Sequence, residues 1–314
     1  MARIGTDILS AKQILIDAGV VAIPTETVYG LAGNALDSKA ILEIYKVKNR
    51  PKFDPLIAHV PSFDQAKQIS SGIPDELQEL AKTFWPGPLT LLLDKKEHVP
   101  DLLTSGSSRV AVRVPSHPLT QDLLQSIDFP LAAPSANPFG YVSPTTAHHV
   151  NEQLGELIPY ILDGGPTKVG LESTIVGFEN GKVLVHRVGG LPVEAIESVV
   201  GKVAFQLNQS SNPVAPGMLK SHYSPGKKLT IGLISELLES HDPEKTGIIA
   251  FKESHTGRFS HTLSPSGSLE EAASKLFGVL RELDSNDVEH IIAESFPDEG
   301  LGRAINDRLK RASV

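Results

Sequence analysis

Between Val20 and Val60 the chain passes from an apolar run into a polar cluster, then through a helix that ends in cations, and back into an apolar run. Val20-Val21-Ala22-Ile23 has the make-up of a central strand, and Pro24-Thr25-Glu26-Thr27 follows it at once with two hydroxyls and a carboxylate. Tyr29-Gly30 predicts a turn. A helix is expected from about Ser38, its N-cap, with Ile41, Ile44 and Tyr45 as its buried stripe. It delivers Lys46, Lys48 and Arg50 before Pro51 stops it. Leu56–Val60 then reads as a second strand with His59 near its end. Neighbouring strand ends thus gather a carboxylate, hydroxyls, cations and an imidazole, which together make half of an anion-binding site.

The rest of the chain supplies strands and helices to surround this unit. Helices are predicted over Asp7–Ala18, Pro74–Trp85, Pro118–Ile127, Thr145–Leu154 and Val193–Val200, and strands over Leu89–Leu93, Arg109–Val114, Leu131–Ala133 and Tyr160–Asp163. Ser173–Phe178 and Lys182–Val188 flank Asn180-Gly181, the strongest short hairpin signal available. Strands mixed with helices, plus one hairpin, predict an α/β fold with an open, twisted, mixed sheet and flanking helices. After Val203 the periodicity collapses: residues 204–228 form a linker rich in Ser, Pro, Gly, Asn and Lys. From 229 to 314, strand–helix alternation returns, with Ser268 and Glu271 as a capping box, and predicts a small Rossmann-like three-layer α/β domain with a mostly parallel sheet.

Composition narrows the chemistry. A chain of 314 residues exceeds what one core usually holds, so two domains are expected, 1–203 and 229–314. The net charge of −8 argues against coating nucleic acid by bulk charge. The absence of cysteine excludes disulfides, thiolate metal sites and a cysteine nucleophile. No apolar run approaches the ~20 residues that cross a bilayer, and no signal-peptide core follows Met1, so the cytoplasm is the expected compartment. Gly177–Lys182 imitates a phosphate loop but is one residue short, and Val183 replaces the hydroxyl. His148 and His149 are adjacent and point apart on a helix, which disfavours a zinc site. No serine sits in a nucleophile elbow, so covalent catalysis is not indicated.

Taken singly, Lys48 and Arg50 are cations at a helix C-terminus, Ser135 and Asn137 turn formers, Arg113 a strand arginine and His59 a core histidine. Their order along the chain is more specific. Pro24–Leu31, Lys48-x-Arg50-Pro51, Pro55-Leu56-Ile57-x-His59, Val110–Pro115, Pro134-Ser135-Ala136-Asn137 and Gly170–Val176 resemble the threonylcarbamoyl-AMP synthase family, whose catalytic domain has the YrdC-like fold. Arg187-x-Gly189, Pro216-Gly217-Met218, His222–Pro225 and Gly300–Leu309 extend the resemblance to the family's longer, two-domain form.

The resemblance implies a nucleotidyltransferase that combines L-threonine, bicarbonate and ATP into L-threonylcarbamoyl-AMP, releasing pyrophosphate and water. Partner proteins then transfer the threonylcarbamoyl group to the adenosine beside the anticodon in tRNA; whether this chain itself binds tRNA is left open. It implies that Lys48 and Arg50 hold the triphosphate and act in catalysis, and that Asp54, Ser135, Asn137, Ser143, Arg187 and Tyr223 complete the ATP site. Thr27, His59, Arg113 and Ser173 are implied for threonine, a planar Arg113 suiting a carboxylate. Magnesium is expected with ATP, held mostly by phosphate and water, with Glu26 and Glu172 as candidate contributors and no organic cofactor. Asp54 departs from the family, which usually carries Asn there; its charge is expected to pair with Lys52. Met218, His222 and Tyr223 suggest that the linker closes over the nucleotide as a lid. An RNA-binding module of the same fold is the alternative, and a hydrogenase-maturation carbamoyl-transfer domain is disfavoured by the missing cysteines.

Overall fold

The computed structural model of the chain describes residues 1–206 and 223–314. Eleven strands among these build one mixed sheet: β1 (Arg3–Gly5), β2 (Val21–Ile23), β3 (Gly30–Asn34), β4 (Ile57–His59), β5 (Leu89–Asp94), β6 (Arg109–Arg113), β7 (Leu131–Ala132), β8 (Tyr160–Leu162), β9 (Thr174–Glu179), β10 (Lys182–Arg187) and β11 (Ala204–Phe205). Their order is β1-β8-β2-β3-β7-β4-β6-β5-β9-β10-β11. The helices beside it are α1 (Ile8–Ile16), α2 (Ser38–Lys48), α3 (Phe63–Ile69), α4 (Asp75–Phe84), α5 (Asp101–Thr104), α6 (Pro118–Ser126), α7 (Ala147–Leu154) and α8 (Val193–Val200). A second sheet, β12 (Lys228–Ile231), β13 (Thr246–Ala250), β14 (Phe259–Thr262) and β15 (His290–Ala293), is parallel throughout in the order β12-β15-β13-β14. Helices α9 (Ile234–Leu238), α10 (Leu269–Ser285) and α11 (Gly302–Ala312) accompany it.

Several sequence-based boundaries shift for local reasons. Asp37, not Ser38, caps α2, its carboxylate accepting from the Lys39 N–H at 2.8 Å. The same helix ends at Asn49, whose left-handed backbone (φ 50°) lets its N–H return to Tyr45 and Lys46 before Pro51 is reached. Gly30 does not turn the chain: it begins β3, antiparallel to β2 with Ile23 opposite Gly30. The Asn180-Gly181 hairpin forms as expected, both residues at positive φ. Ala204–Phe205, placed in the linker by composition, is an edge strand parallel to β10. Pro216, Gly217, Met218 and His222 lie outside the described residues.

One apolar cluster runs unbroken from the first sheet into the second unit, taking in Leu31, Val112 and Leu171 as well as Phe277, Leu280 and Leu309. Gly170 packs directly against α10. Its φ is +76°, and a Cβ there would lie 2.6 Å from the Ala273 carbonyl oxygen of α10. Only glycine permits both.

In β10, His186 sits at a register shift: Val185 faces Val176, but Arg187 faces Ile175. The extra residue directs Arg187 toward the start of β9. Its cost is a buried imidazole with no hydrogen-bond partner on either nitrogen among the described residues. Burial pushes His186 down to about 4, Arg109 adding to the effect and Glu179 opposing it. The unfolded chain therefore takes up a proton near pH 6.5 that the folded chain refuses until about pH 4, so stability falls as pH drops through that window. His186→Leu should flatten that loss by up to about 3 kcal/mol. Urea denaturation at pH 7 and pH 4.5 checks this, and an unchanged difference between the two contradicts it.

Candidate functional site

The site lies where β2, β4 and β6 end and β9 begins. The Pro24–Val28 turn is wound by Thr25, whose hydroxyl donates to the Val28 carbonyl at 2.6 Å and accepts from the Thr27 N–H at 3.2 Å. This turn aims Glu26 and Thr27 at Arg113, the last residue of β6. Arg113 donates to Glu26 Oε1 at 2.6 Å, to Thr27 Oγ1 at 2.8 Å and to the Gly87 carbonyl at 3.3 Å. The second Glu26 oxygen accepts from the Ser116 N–H at 3.0 Å. Opposite Arg113 in register is His59 at the end of β4. Burial, reinforced by Arg113, pushes His59 down to about 3, so it stands as a neutral imidazole, its Nδ1 3.2 Å from the Ile57 carbonyl.

A cavity opens between these groups, lined by Thr27, Val28, Arg50, Ile57, His59, Arg113, Ala133, Pro134, Ser135, Glu172, Ser173, Arg187 and Tyr223. On its far wall Arg187 donates through Nε and Nη2 to the Ser173 carbonyl at 3.0 and 2.8 Å, and to Ser173 Oγ at 3.1 Å. Thr90 of β5 fixes the same hydroxyl at 2.7 Å. Tyr223 is buried, at φ +64°, and stacks on Phe277 with ring centres 5.7 Å apart.

Of the residues expected here, Lys48, Asp54, Asn137 and Ser143 stand behind the lining and shape it. Lys48 is buried, and its ammonium donates at 2.5 Å to the carbonyls of both Ser135 and Asn137. Burial, helped by Arg50, holds its pKa well below the usual lysine range. Asp54 pairs with Arg50 at 2.8 Å, not with Lys52, which is exposed. The physical reason is geometric: Asn49 turns the chain back, so Arg50 lies over the 54–55 backbone and also donates to the Asp54 and Pro55 carbonyls. Burial raises the Asp54 pKa, while Arg50, Lys48 and Arg187 oppose the rise. The Asn137 amide spans the Pro138 and Tyr141 carbonyls, and Ser143 donates to Glu172 at 2.5 Å.

With that geometry in place, likeness to known proteins becomes informative. A family model described as "Telomere recombination" (Sua5, YciO and YrdC) matches residues 13–189, and one described as "Threonylcarbamoyl-AMP synthase, C-terminal domain" matches residues 191–314. The chain belongs to the threonylcarbamoyl-AMP synthase family. It is 41% identical to the threonylcarbamoyl-AMP synthase of Pyrococcus abyssi, over 96% of this chain and 93% of that one. The Bacillus subtilis threonylcarbamoyl-AMP synthase is 38% identical over 98% and 92%. The fold superposes on P. abyssi Sua5 complexed with L-threonine with a TM-score of 0.91 at 39% identity, covering 98% of this chain and 94% of that one.

Within this family architecture the described residues contain no group of three or more His, Asp or Glu that could hold a metal ion. Glu26, which stands behind Arg113, is committed to Arg113 and Ser116, and Glu172, which lines the cavity, to Ser143 and Arg308. Sequence reasoning missed Thr90, a strand residue without a motif, and gave Arg308 of the Gly300–Leu309 stretch no place at the site, its partner Glu172 being 136 residues away. No helix among the described residues is long and apolar enough to cross a membrane.

The Arg113–Glu26 pair offers a check on this geometry. Removing one partner strands the other's charge in a buried place, which costs about 3–5 kcal/mol, whereas removing both leaves neither charge behind. Arg113→Met and Glu26→Gln should each destabilise strongly and the double variant by clearly less than their sum. A denaturant double-mutant cycle measures this, and additive effects would contradict the pairing.

Proposed function

We propose that the chain joins L-threonine, bicarbonate and ATP into L-threonylcarbamoyl-AMP, with release of pyrophosphate and water. The observation that carries this reading is the convergence of Arg50, Arg113 and Arg187, with neutral His59 and the hydroxyls of Thr27, Ser135 and Ser173, on one cavity. Threonine occupies the side made by Thr27, His59, Arg113 and Ser173. Arg113 suits its carboxylate, and the hydroxyl and imidazole groups suit its side-chain hydroxyl, so a substrate lacking that hydroxyl leaves buried polar groups unpaired. The nucleotide occupies the side made by Arg50, Ser135, Arg187 and Tyr223, with Lys48, Asn137 and Ser143 setting the wall from behind and Asp54 balancing Arg50.

The chemistry asks for orientation and charge neutralisation. The threonine nitrogen takes up bicarbonate carbon, with loss of water, to give a carbamate. A carbamate oxygen then attacks the α-phosphorus in line, and the bond to pyrophosphate breaks. Fixed guanidinium groups at the cavity meet the charge that develops on phosphoryl oxygens, and no covalent nucleophile is required. Magnesium enters with the triphosphate as part of the substrate; the prior commitment of Glu26 and Glu172 to arginines supports phosphate and water as its main ligands. The product passes to threonylcarbamoyl-transfer proteins acting on tRNA, which puts the reaction in the cytoplasm. Burial of the three arginines disfavours a nucleic-acid surface, where cations must reach phosphates from outside.

Purified protein should release pyrophosphate only when threonine and bicarbonate are both present. Arg50→Ala should lower that rate by roughly a hundredfold or more, the scale of losing one preorganised charge donor, while circular dichroism stays unchanged. Threonine-independent release, or undiminished release by the variant, overturns the reading.

A further inference from the structure

The C-terminal helix α11 reaches into the cavity wall through one side chain. Arg308 is fully buried. Its Nε donates to Glu172 Oε2 at 2.8 Å, its Nη2 to the Val188 carbonyl at 3.0 Å and its Nη1 to Asp307 at 2.6 Å. Its guanidinium also lies 4.9 Å from the ring centre of Tyr223. Glu172 and Tyr223 both line the cavity, and the other Glu172 oxygen is taken by Ser143. One guanidinium from the second unit therefore holds two elements of the cavity wall, Glu172 of the first unit and Tyr223 of the segment that joins the units.

We propose that Arg308 is a positioning residue for the reaction: it neutralises and orients Glu172 and fixes the Tyr223 ring, so that this one side chain of the C-terminal unit completes the nucleotide side of the cavity. This rests on the reading given under Proposed function. The electrostatic reason is direct. Glu172 brings a negative charge to a cavity meant for a polyanion. Paired with Arg308 that charge is balanced and held still; without Arg308 it faces the incoming phosphates unbalanced and repels them. Asp307 keeps Arg308 extended, itself clamped by Arg311 at 3.0 Å.

The test compares Arg308→Met, Arg308→Lys, Glu172→Gln, the double variant Arg308→Met with Glu172→Gln, and Asp284→Ala. Asp284 accepts from the Tyr141 hydroxyl and the Lys227 N–H, so its loss weakens the contact between the two units without touching a cavity-lining side chain. Arg308→Met should raise KM for ATP and lower kcat for pyrophosphate release, by about ten- to a hundredfold in kcat/KM, as loss of a supporting hydrogen-bond partner does elsewhere. KM for threonine should change far less. Arg308→Lys keeps the charge without the planar fork and should recover part of the loss. Adding Glu172→Gln should restore ATP affinity to Arg308→Met by removing the stranded charge. Asp284→Ala should stay within about threefold of the parent, a surface-scale effect.

Equal losses in Arg308→Met and Asp284→Ala, or no recovery on adding Glu172→Gln, overturn the proposal and leave Arg308 as a docking contact. Failure of the underlying reading looks different: the parent protein would then release no threonine-dependent pyrophosphate. In that case amide hydrogen exchange decides the positioning role. Exchange in Arg308→Met should rise within residues 141–145 and 171–174 and not in α1 or α6, and an unchanged pattern sinks the proposal.

Discussion

Charge in the interior is the constraint on which this structure turns. Four buried arginines stand in or behind the wall of one cavity; three have a carboxylate partner, Arg113 with Glu26 at 2.6 Å, Arg50 with Asp54 at 2.8 Å and Arg308 with Glu172 at 2.8 Å, while Arg187 donates to the Ser173 carbonyl. Burying an ion costs several kcal/mol, and a partner at contact distance repays that only with good geometry and further hydrogen bonds. Here the further bonds come from backbone carbonyls, at Gly87 for Arg113, at Asp54 and Pro55 for Arg50, and at Val188 for Arg308. Such pairs add little net stability. What they supply is direction: each guanidinium has one orientation, fixed before any substrate arrives.

Lys48 extends the same logic with a different acceptor. Its ammonium has two carbonyls where three of the arginines have carboxylates, and burial correspondingly weakens its hold on the proton. Those two carbonyls belong to Ser135 and Asn137, a loop whose Pro134 and Ser135 line the cavity. Lys48 therefore ties the end of α2 to the loop after β7, and with it the nucleotide wall to the Val20–Val60 unit. A cation that the sequence assigns to phosphate also fastens, in this structure, the two sides of the cavity to each other.

How much of this was legible in sequence depended on the range of the interaction. Strand, polar turn, helix and cations between Val20 and Val60 are local, and their order foretold which side chains converge. The Asn180-Gly181 hairpin was legible for the same reason. β3 was not, because Gly30-Leu31-Ala32-Gly33-Asn34 has small residues in place of alternating large ones; it is a strand through pairing with β2 and β7. The partner of Asp54 was misjudged because adjacency favoured Lys52, while the left-handed Asn49 swings Arg50 over residues 54–55. The aim of Arg187 depends on a one-residue bulge at His186, and no pattern of period two announces it.

The segment Gly170-Leu171-Glu172-Ser173 explains why the second unit belongs to the site and is not an appendage. Its first residue touches the backbone of α10 with no room for a Cβ, its third holds Arg308 of α11, and its fourth lines the cavity beside Arg187. Leu171 between them is fully buried in the cluster shared with Phe277 and Leu309. Each of these four consecutive residues is thus tied to a neighbour, Gly170 and Glu172 to α10 and α11 themselves. Close-packed interiors of this kind transmit small displacements without absorbing them. A reaction that needs a carbamate oxygen in line with a phosphorus atom is sensitive to shifts of about 1 Å. Under the role proposed for Arg308, the placement of the C-terminal unit, set by packing at Gly170 and by charge at Arg308, bears directly on the reaction.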